Sequence, residues 1–181
     1  MIVVTGAGGK TGQAVIRALM RRGASVRALV HRPEQAAALA PLGPTQTVAG
    51  DLRDAGTLER ALDGARSVYQ ICPNMHPAEL SIGPAVIDAA RRAGGEHLAY
   101  HSVLHPQIEA MPHHWQKMRV EEQLFASGLA YTILQPAAYM QNVLAHWERM
   151  VNEGIYPVPY GVETRLGMVD LEDVAQAAAT V

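Results

Sequence analysis

Near its amino terminus the chain reads VVTGAGGKTGQAVIRAL, residues 3–19, and no other stretch limits the fold so strongly. An apolar run, Ile2-Val3-Val4, meets three glycines spaced three apart, Gly6, Gly9 and Gly12, and a helical pattern follows at once. The Gly-Lys-Thr within it suggests a triphosphate loop, but that loop requires G-x-x-x-x-G-K-S/T. With Gly9-Lys10-Thr11 at its end, the first glycine belongs at Val4, which lies inside the strand. No hydrophobic strand ending in an acid supplies the usual companion carboxylate either. A dinucleotide turn fits the spacing better. Gly6 permits a tight turn, Gly9 lets the backbone approach a pyrophosphate, and Gly12 lets the helix pack close to the strand. The helix N-terminus, with Lys10 beside it and Thr11 in its first turn, offers free N–H groups and partial positive charge to the phosphates. The strict G-x-G-x-x-G form is not met, because Thr11 stands at its third glycine position. An ordinary glycine-rich turn is the plain alternative.

The same strand-then-helix alternation continues to the end of the chain. Strands are expected at 2–5, 25–30, 45–49, 67–72, 97–102 and 130–135, and helices at 11–22, 33–41, 55–63, 79–93, 114–127, 139–152 and 170–180. Gly23, Gly43, Gly64, Gly94 and Gly128 each fall between a helical pattern and a strand, where a left-handed helix cap is needed. Asp54 and Asp170 stand where N-caps belong. Strands joined by single helices cannot pair as hairpins, so they form a parallel sheet covered on both faces. The expected class is therefore α/β, a doubly wound parallel (Rossmann) sheet. Residues 1–181 are read as a single NAD(P)-binding Rossmann domain with its ligand crevice at the strands' carboxyl ends.

An NAD site places Asp or Glu about 20 residues past the glycines, to bind the ribose 2′-hydroxyl. Here the second strand is followed by His31-Arg32-Pro33, and neither of the first two is acidic. A carboxylate would repel a 2′-phosphate, whereas the Arg32 guanidinium can bind one through two hydrogen bonds. NADP(H) is therefore expected over NAD(H), with Lys10 as a second positive charge; a solvated surface Arg32 is the alternative. Asp51, followed by Leu52, either meets the adenine amino group or bonds its own turn. Ile71 and Pro73, flanking Cys72, line the adenosine side of the crevice. Cys72 itself is read as a buried packing residue.

Composition removes several function classes. A net charge of −2 leaves no basic stripe for nucleic acid. One cysteine excludes an internal disulfide framework and suits a reducing compartment. With no long apolar run and a strand at the very start, neither membrane span nor signal peptide is expected, and a soluble cytoplasmic protein is read. His97, His101 and His105 repeat every four residues, but on a strand that step spans about 13 Å, so no metal site is expected. Trp115, Trp147, Met140 and Met150 are read as packing residues.

Six segments together resemble the NmrA-like proteins, atypical members of the short-chain dehydrogenase/reductase superfamily. They are TGAGGKTG, ALVHRPE, AGDLRD, HSV, HHWQKMRVEEQLFASGLAYTILQPAAYMQN and MVDLEDVAQAA. The resemblance covers essentially the whole chain. It implies NADPH-dependent reduction of quinones or related compounds, or, in other members, dinucleotide sensing that reports redox state to a protein partner. It also implies that Lys117 binds the nicotinamide ribose and that Pro136 lies at the coenzyme. Two departures stand out. The superfamily's Tyr-x-x-x-Lys pair is represented by His113-x-x-x-Lys117, and the chain ends where a small substrate lobe usually continues, so that lobe is read as short or missing.

On this reading hydride passes to a carbonyl or quinone, and the oxygen gaining charge needs a donor nearby. Ser102, at the end of the fifth strand, matches the superfamily's serine, and His113 can supply a proton near neutral pH. Tyr139 and Asn142 face the small-molecule substrate. The plainer alternatives are a surface Lys117 paired with Glu121 at i,i+4, His113 as a helix-start residue and Ser102 closing a strand. Two functions are carried forward: an NADP(H)-dependent oxidoreductase, and a coenzyme-sensing regulator acting through a protein partner. A homodimer is compatible with both.

Overall fold

The parallel sheet is present in a computed structural model, which describes residues 1–181. Six parallel strands, β1 (Ile2–Val4), β2 (Val26–Val30), β3 (Gln46–Ala49), β4 (Ser67–Gln70), β5 (His97–His101) and β6 (Ala130–Leu134), lie in the order β3-β2-β1-β4-β5-β6. The chain winds outward from β1 in one direction, then restarts at β4 in the other. That reversal makes a switch point between β1 and β4, and the crevice opens beyond the strands' carboxyl ends there. Thr5 closes the gap just past β1. Its hydroxyl donates to the Ile71 carbonyl at 2.9 Å and accepts from the Ile71 N–H at 2.8 Å.

The helices are α1 (Lys10–Arg21), α2 (Glu34–Leu39), α3 (Ala55–Leu62), α4 (Glu79–Arg92), α5 (Pro112–Phe125), α6 (Trp147–Glu153) and α7 (Leu171–Ala178). Asp54 and Asp170 cap α3 and α7 through the N–H groups of Thr57 and Glu172. Because strand side chains alternate, each strand feeds two cores. Val3, Val68, Leu98 and Tyr100 pack with α3, α4 and α5. Val4, Tyr69, Ala99 and Val26 pack with α1 and α7. This parity decides which polar groups meet at the carboxyl ends of β4 and β5.

α4 and α5 lie unusually close. A Cβ on Gly83 would stand 2.5 Å from the Val120 side chain, so only glycine admits this approach. The first turn of α4 is thereby brought against the body of α5.

The helix expected over 139–152 is not formed as such. Ala138–Tyr139 make a short strand, β7, paired in parallel with β8 (Met168–Val169) in a separate two-stranded sheet. Met140–His146 follow as 3-10 helix, and only α6 is α-helical. None of residues 140–153 is buried, so no tertiary packing sustains a longer α-helix, and the β7 pairing holds the start of the segment extended. For the same reason Trp147 and Met140 are not packing residues: they are 56% and 48% exposed. No helix is long and apolar enough to cross a membrane.

Candidate functional site

The β1–α1 turn lies at the switch point, and its three glycines are not equivalent. Gly6 has φ +58°, and a Cβ there would come within 2.9 Å of the Ile71 carbonyl oxygen. A Cβ on Gly12 would lie 2.5 Å from the Gly6 oxygen and 2.7 Å from Ala7 Cα, so α1 presses directly on the turn. Gly9 differs from both. It is exposed, and an added Cβ would meet only the Gly6 oxygen at 3.4 Å. The Gly9 N–H closes the turn onto the Gly6 carbonyl at 3.0 Å. No side chain caps α1 and no acid occupies its first turn, which leaves positive helix-terminal N–H groups facing the crevice. Two close contacts and one open face are what an incoming diphosphate requires of such a turn.

Around that turn the expected coenzyme residues take varied positions. Arg32 is exposed, and its guanidinium makes no hydrogen bond or ion pair. Its N–H and that of His31 are held by the Gln35 side-chain oxygen at 3.0 and 3.1 Å. Gln35 also lies against Gly8, where a Cβ would come within 2.5 Å of its amide nitrogen. Asp51 bonds its own turn, accepting from the Arg53 N–H at 2.8 Å, and its carboxylate grips the Arg53 guanidinium. Those contacts with Arg53 hold its carboxyl well below the usual range. Leu52 is half-buried against the α3–α5 core, Ile71 is buried under Gly6, and Pro73 is exposed. Pro136 is half-buried, and its carbonyl accepts from the Leu104 N–H at 2.9 Å. Lys10 and Asn142 meet directly, the ammonium donating to Asn142 Oδ1 at 2.6 Å.

On the α4–α5 side of the sheet the carboxyl end is sealed by charge. Lys117 Nζ donates to Glu79 Oε1 at 2.8 Å, with side chains only 7% and 1% exposed. The Tyr100 hydroxyl donates to the same oxygen at 2.8 Å, and the Lys117 ammonium lies 5.5 Å from the Tyr100 ring centre. Lys117 thus belongs neither on the surface nor with Glu121. Glu121 instead accepts from Ser102 Oγ and, on both oxygens, from Gln135 Nε2 at 3.0 Å. Ser102 is therefore turned into the protein toward α5. Burial, together with the neighbouring Glu79 carboxylate, pushes the Cys72 thiol up to about 12, so it stays protonated. His113 sits half-buried in the first turn of α5, edge-on to His114, and burial lowers its pKa. The pairing of Glu79 was not legible because its sequence position, the first residue of an amphipathic helix, is ordinarily a solvated one.

The α1–α7 side carries a neutral chain that sequence reasoning missed apart from Thr11 and Tyr139. The Tyr69 hydroxyl contacts His101 Nδ1 at 2.7 Å, and His101 Nε2 contacts the Tyr139 hydroxyl at 2.6 Å. Thr11 Oγ1 donates to Tyr139 at 3.4 Å, and the Lys10 ammonium lies 5.5 Å from the Tyr139 ring centre. Burial first, and the Lys117 charge second, push His101 down to about 3, so it is neutral at physiological pH. The only sequence signal was parity: His101 and Ser102 are adjacent on β5 and must face opposite sides. His97 turns elsewhere, to Thr132 Oγ1 at 3.0 Å.

A doubly wound sheet with a glycine turn at its switch point and α1 aimed into the crevice defines a Rossmann-type α/β protein. The chain belongs to the NmrA-like family, whose model matches residues 1–181. It is 33% identical over 184 residues to the NAD(P)H azoreductase of Xenophilus azovorans, covering 98% of this chain and 62% of that protein. It is 32% identical over 183 residues to quinone oxidoreductase 2 of Escherichia coli K12, covering 100% of this chain and 63% of that one. The Citrobacter sp. triphenylmethane reductase, solved in complex with NADP(H), superimposes with a TM-score of 0.87 at 27% identity, covering 100% of this chain and 65% of that one. The chain thus spans somewhat under two thirds of the length of the curated relatives it matches.

Proposed function

We propose that this chain binds NADP(H) at the β1–α1 turn and reduces a small quinone or carbonyl compound. The observation that carries the reading is the turn itself: Gly6 and Gly12 closed against backbone, Gly9 open, and an uncapped helix terminus behind them. The names of the relatives support the same reading, since those reported above are NAD(P)H-dependent or quinone reductases. The sensing alternative finds no such support. When bound, the coenzyme supplies a hydride, and the residues of this chain do the rest.

Gly6, Gly9, Thr11 and Gly12 line the diphosphate with backbone, Gly9 through its open face, and Lys10 stands beside them; the Thr11 hydroxyl is engaged with Tyr139. Arg32, free of any partner, binds the 2′-phosphate, which is the basis for preferring NADP(H). Leu52, Ile71, Pro73 and Pro136 shape the walls, and Asp51 stiffens the third turn through Arg53. Tyr139 and Asn142 face the acceptor. Lys117 and Ser102 act from beneath: paired with Glu79 and Glu121, they fix α5 and the end of β5 rather than reaching the ligand in this arrangement. His113 remains at the mouth of α5. The test is coenzyme oxidation against a panel of quinones and carbonyl compounds. Saturable turnover supports the reading, and tight coenzyme binding with no consumption on any acceptor overturns it.

A further inference from the structure

The neutral chain on the α1–α7 side settles where one proton points. Tyr69 is buried, and His101 Nδ1 is the sole hydrogen-bonding partner of its hydroxyl. A buried phenol that fails to donate loses a hydrogen bond without compensation. Tyr69 therefore donates to Nδ1, which must be bare. Neutral imidazole carries one proton, so it resides on Nε2 and is donated to the Tyr139 oxygen at 2.6 Å. Thr11 Oγ1 donates to that same oxygen. His101 Nε2 can only donate, and Thr11 Oγ1 at 3.4 Å is too distant to accept strongly, so the Tyr139 hydroxyl hydrogen is left for a ligand to take. Tyr139 is half-buried, held between the first turn of α1 through Thr11 and the end of β5 through His101.

On the reduction reading above, we propose that Tyr139 is the acid of the reaction, donating its phenolic proton to the acceptor oxygen, with His101 and Tyr69 as the residues that position it. The superfamily's usual tyrosine position is filled here by His113, and Tyr139 does its work from a different element. The balance is simple. Hydride brings two electrons to the acceptor, the Tyr139 O–H bond breaks, and a new O–H bond forms on the acceptor oxygen. The phenolate is held by the N–H of His101, the hydroxyl of Thr11 and the nearby Lys10 ammonium, and regains its proton from solvent. With a quinone, the transferred hydride supplies one hydroquinone hydrogen and Tyr139 the other, so the only proton drawn from solvent is the one that restores Tyr139. The charged and titratable groups facing the chain are Lys10 from α1, Lys117 from α5, whose ammonium reaches the His101 carbonyl at 3.4 Å, and Tyr69 from β4.

The test compares the parent 181-residue protein with Tyr139→Phe and Tyr69→Phe, using NADPH and 1,4-naphthoquinone. A positioned acid contributes about 10²-fold or more to the rate, so Tyr139→Phe should lower kcat by about that factor while the NADPH Kd, read by coenzyme fluorescence, stays within about twofold. In 15N-edited NMR of the parent, His101 should carry its proton on Nε2. Tyr69→Phe should mix the two tautomers and lower kcat several-fold with the same Kd, a signature that lost packing alone does not give. Undiminished turnover by Tyr139→Phe, or an Nδ1 proton on His101, overturns the proposal and leaves the reduction reading standing. A parent protein that binds NADPH yet never consumes it overturns the reduction reading and the role of Tyr139 with it.

Discussion

The two sides of the sheet meet the crevice with opposite chemistry. Toward α4 and α5, the ends of β4 and β5 are closed by a buried ion pair, Lys117–Glu79, and a buried carboxylate, Glu121, that accepts from Ser102 and Gln135. Toward α1 and α7, they carry a neutral chain, Tyr69–His101–Tyr139, that ends half-exposed beside the β1–α1 turn. Adjacent residues on one strand, His101 and Ser102, feed the two sides. Burial suits charge to anchoring and neutral groups to proton handling. An ion pair taken out of water must stay paired, so it fixes geometry. A neutral relay can redirect a proton without desolvating a charge.

The largest expected effect tests the ionic side. Lys117→Met leaves Glu79 as an uncompensated buried charge and should destabilise the fold by about 3–5 kcal/mol in urea titration. The double variant Lys117→Met/Glu79→Leu should recover most of that loss. Tyr69→Phe removes only a neutral partner and should lose about 1–3 kcal/mol. Equal losses for Lys117→Met and Tyr69→Phe would erase the contrast between the sides.

Acid separates the two sides further. His101 is held to about 3 in the folded state, while an exposed histidine titrates near 6.5. Between those values the unfolded chain binds more protons than the folded one. Its stabilising contribution is therefore complete above about pH 6.5 and declines as pH falls toward 3, by up to about 1.4 kcal/mol per unit. His101→Gln should flatten the fall in unfolding free energy between pH 6 and 4. An unchanged slope would show that His101 is not buried neutral.

The glycine turn separates structural from ligand-facing positions. Gly12→Ala forces a Cβ onto backbone and should destabilise by about 1–3 kcal/mol. Gly9→Ala meets open space and should leave stability within about 0.5 kcal/mol while weakening coenzyme binding. If Gly9→Ala binds NADPH as the parent does, the open face is not where the diphosphate lies. Arg32 concerns the choice of coenzyme and leaves the fold untouched. Arg32→Asp should weaken NADPH by about tenfold or more and NADH far less, as paired titrations would show. Equal losses would remove the preference for NADP(H).

What the sequence made legible was local. Strand and helix alternation gave the sheet, and the glycine spacing located the turn, because both follow from periodicity and short-range sterics. The segment after Pro136 was misread because the partner of Ala138 and Tyr139 lies some 30 residues on, at Met168 and Val169. Glu79 and Lys117, 38 positions apart, were invisible as a pair, since their meeting depends on the close approach of α4 and α5 at Gly83. His101 was weighed only as a metal ligand; its two tyrosine partners come from β4 and β7. Lys117 and Ser102 were found by resemblance, but the direction of their polar atoms is a property of packing.

In the function proposed above, the turn joining β1 to α1 holds the diphosphate of a nicotinamide coenzyme. Isothermal titration of the 181-residue chain with NADPH, and separately with ATP and magnesium, tests it most directly. Saturable one-to-one heat from NADPH, strongly reduced in Gly9→Ala, is the predicted result. No heat from NADPH or NADH alongside firm binding of ATP with magnesium would contradict it.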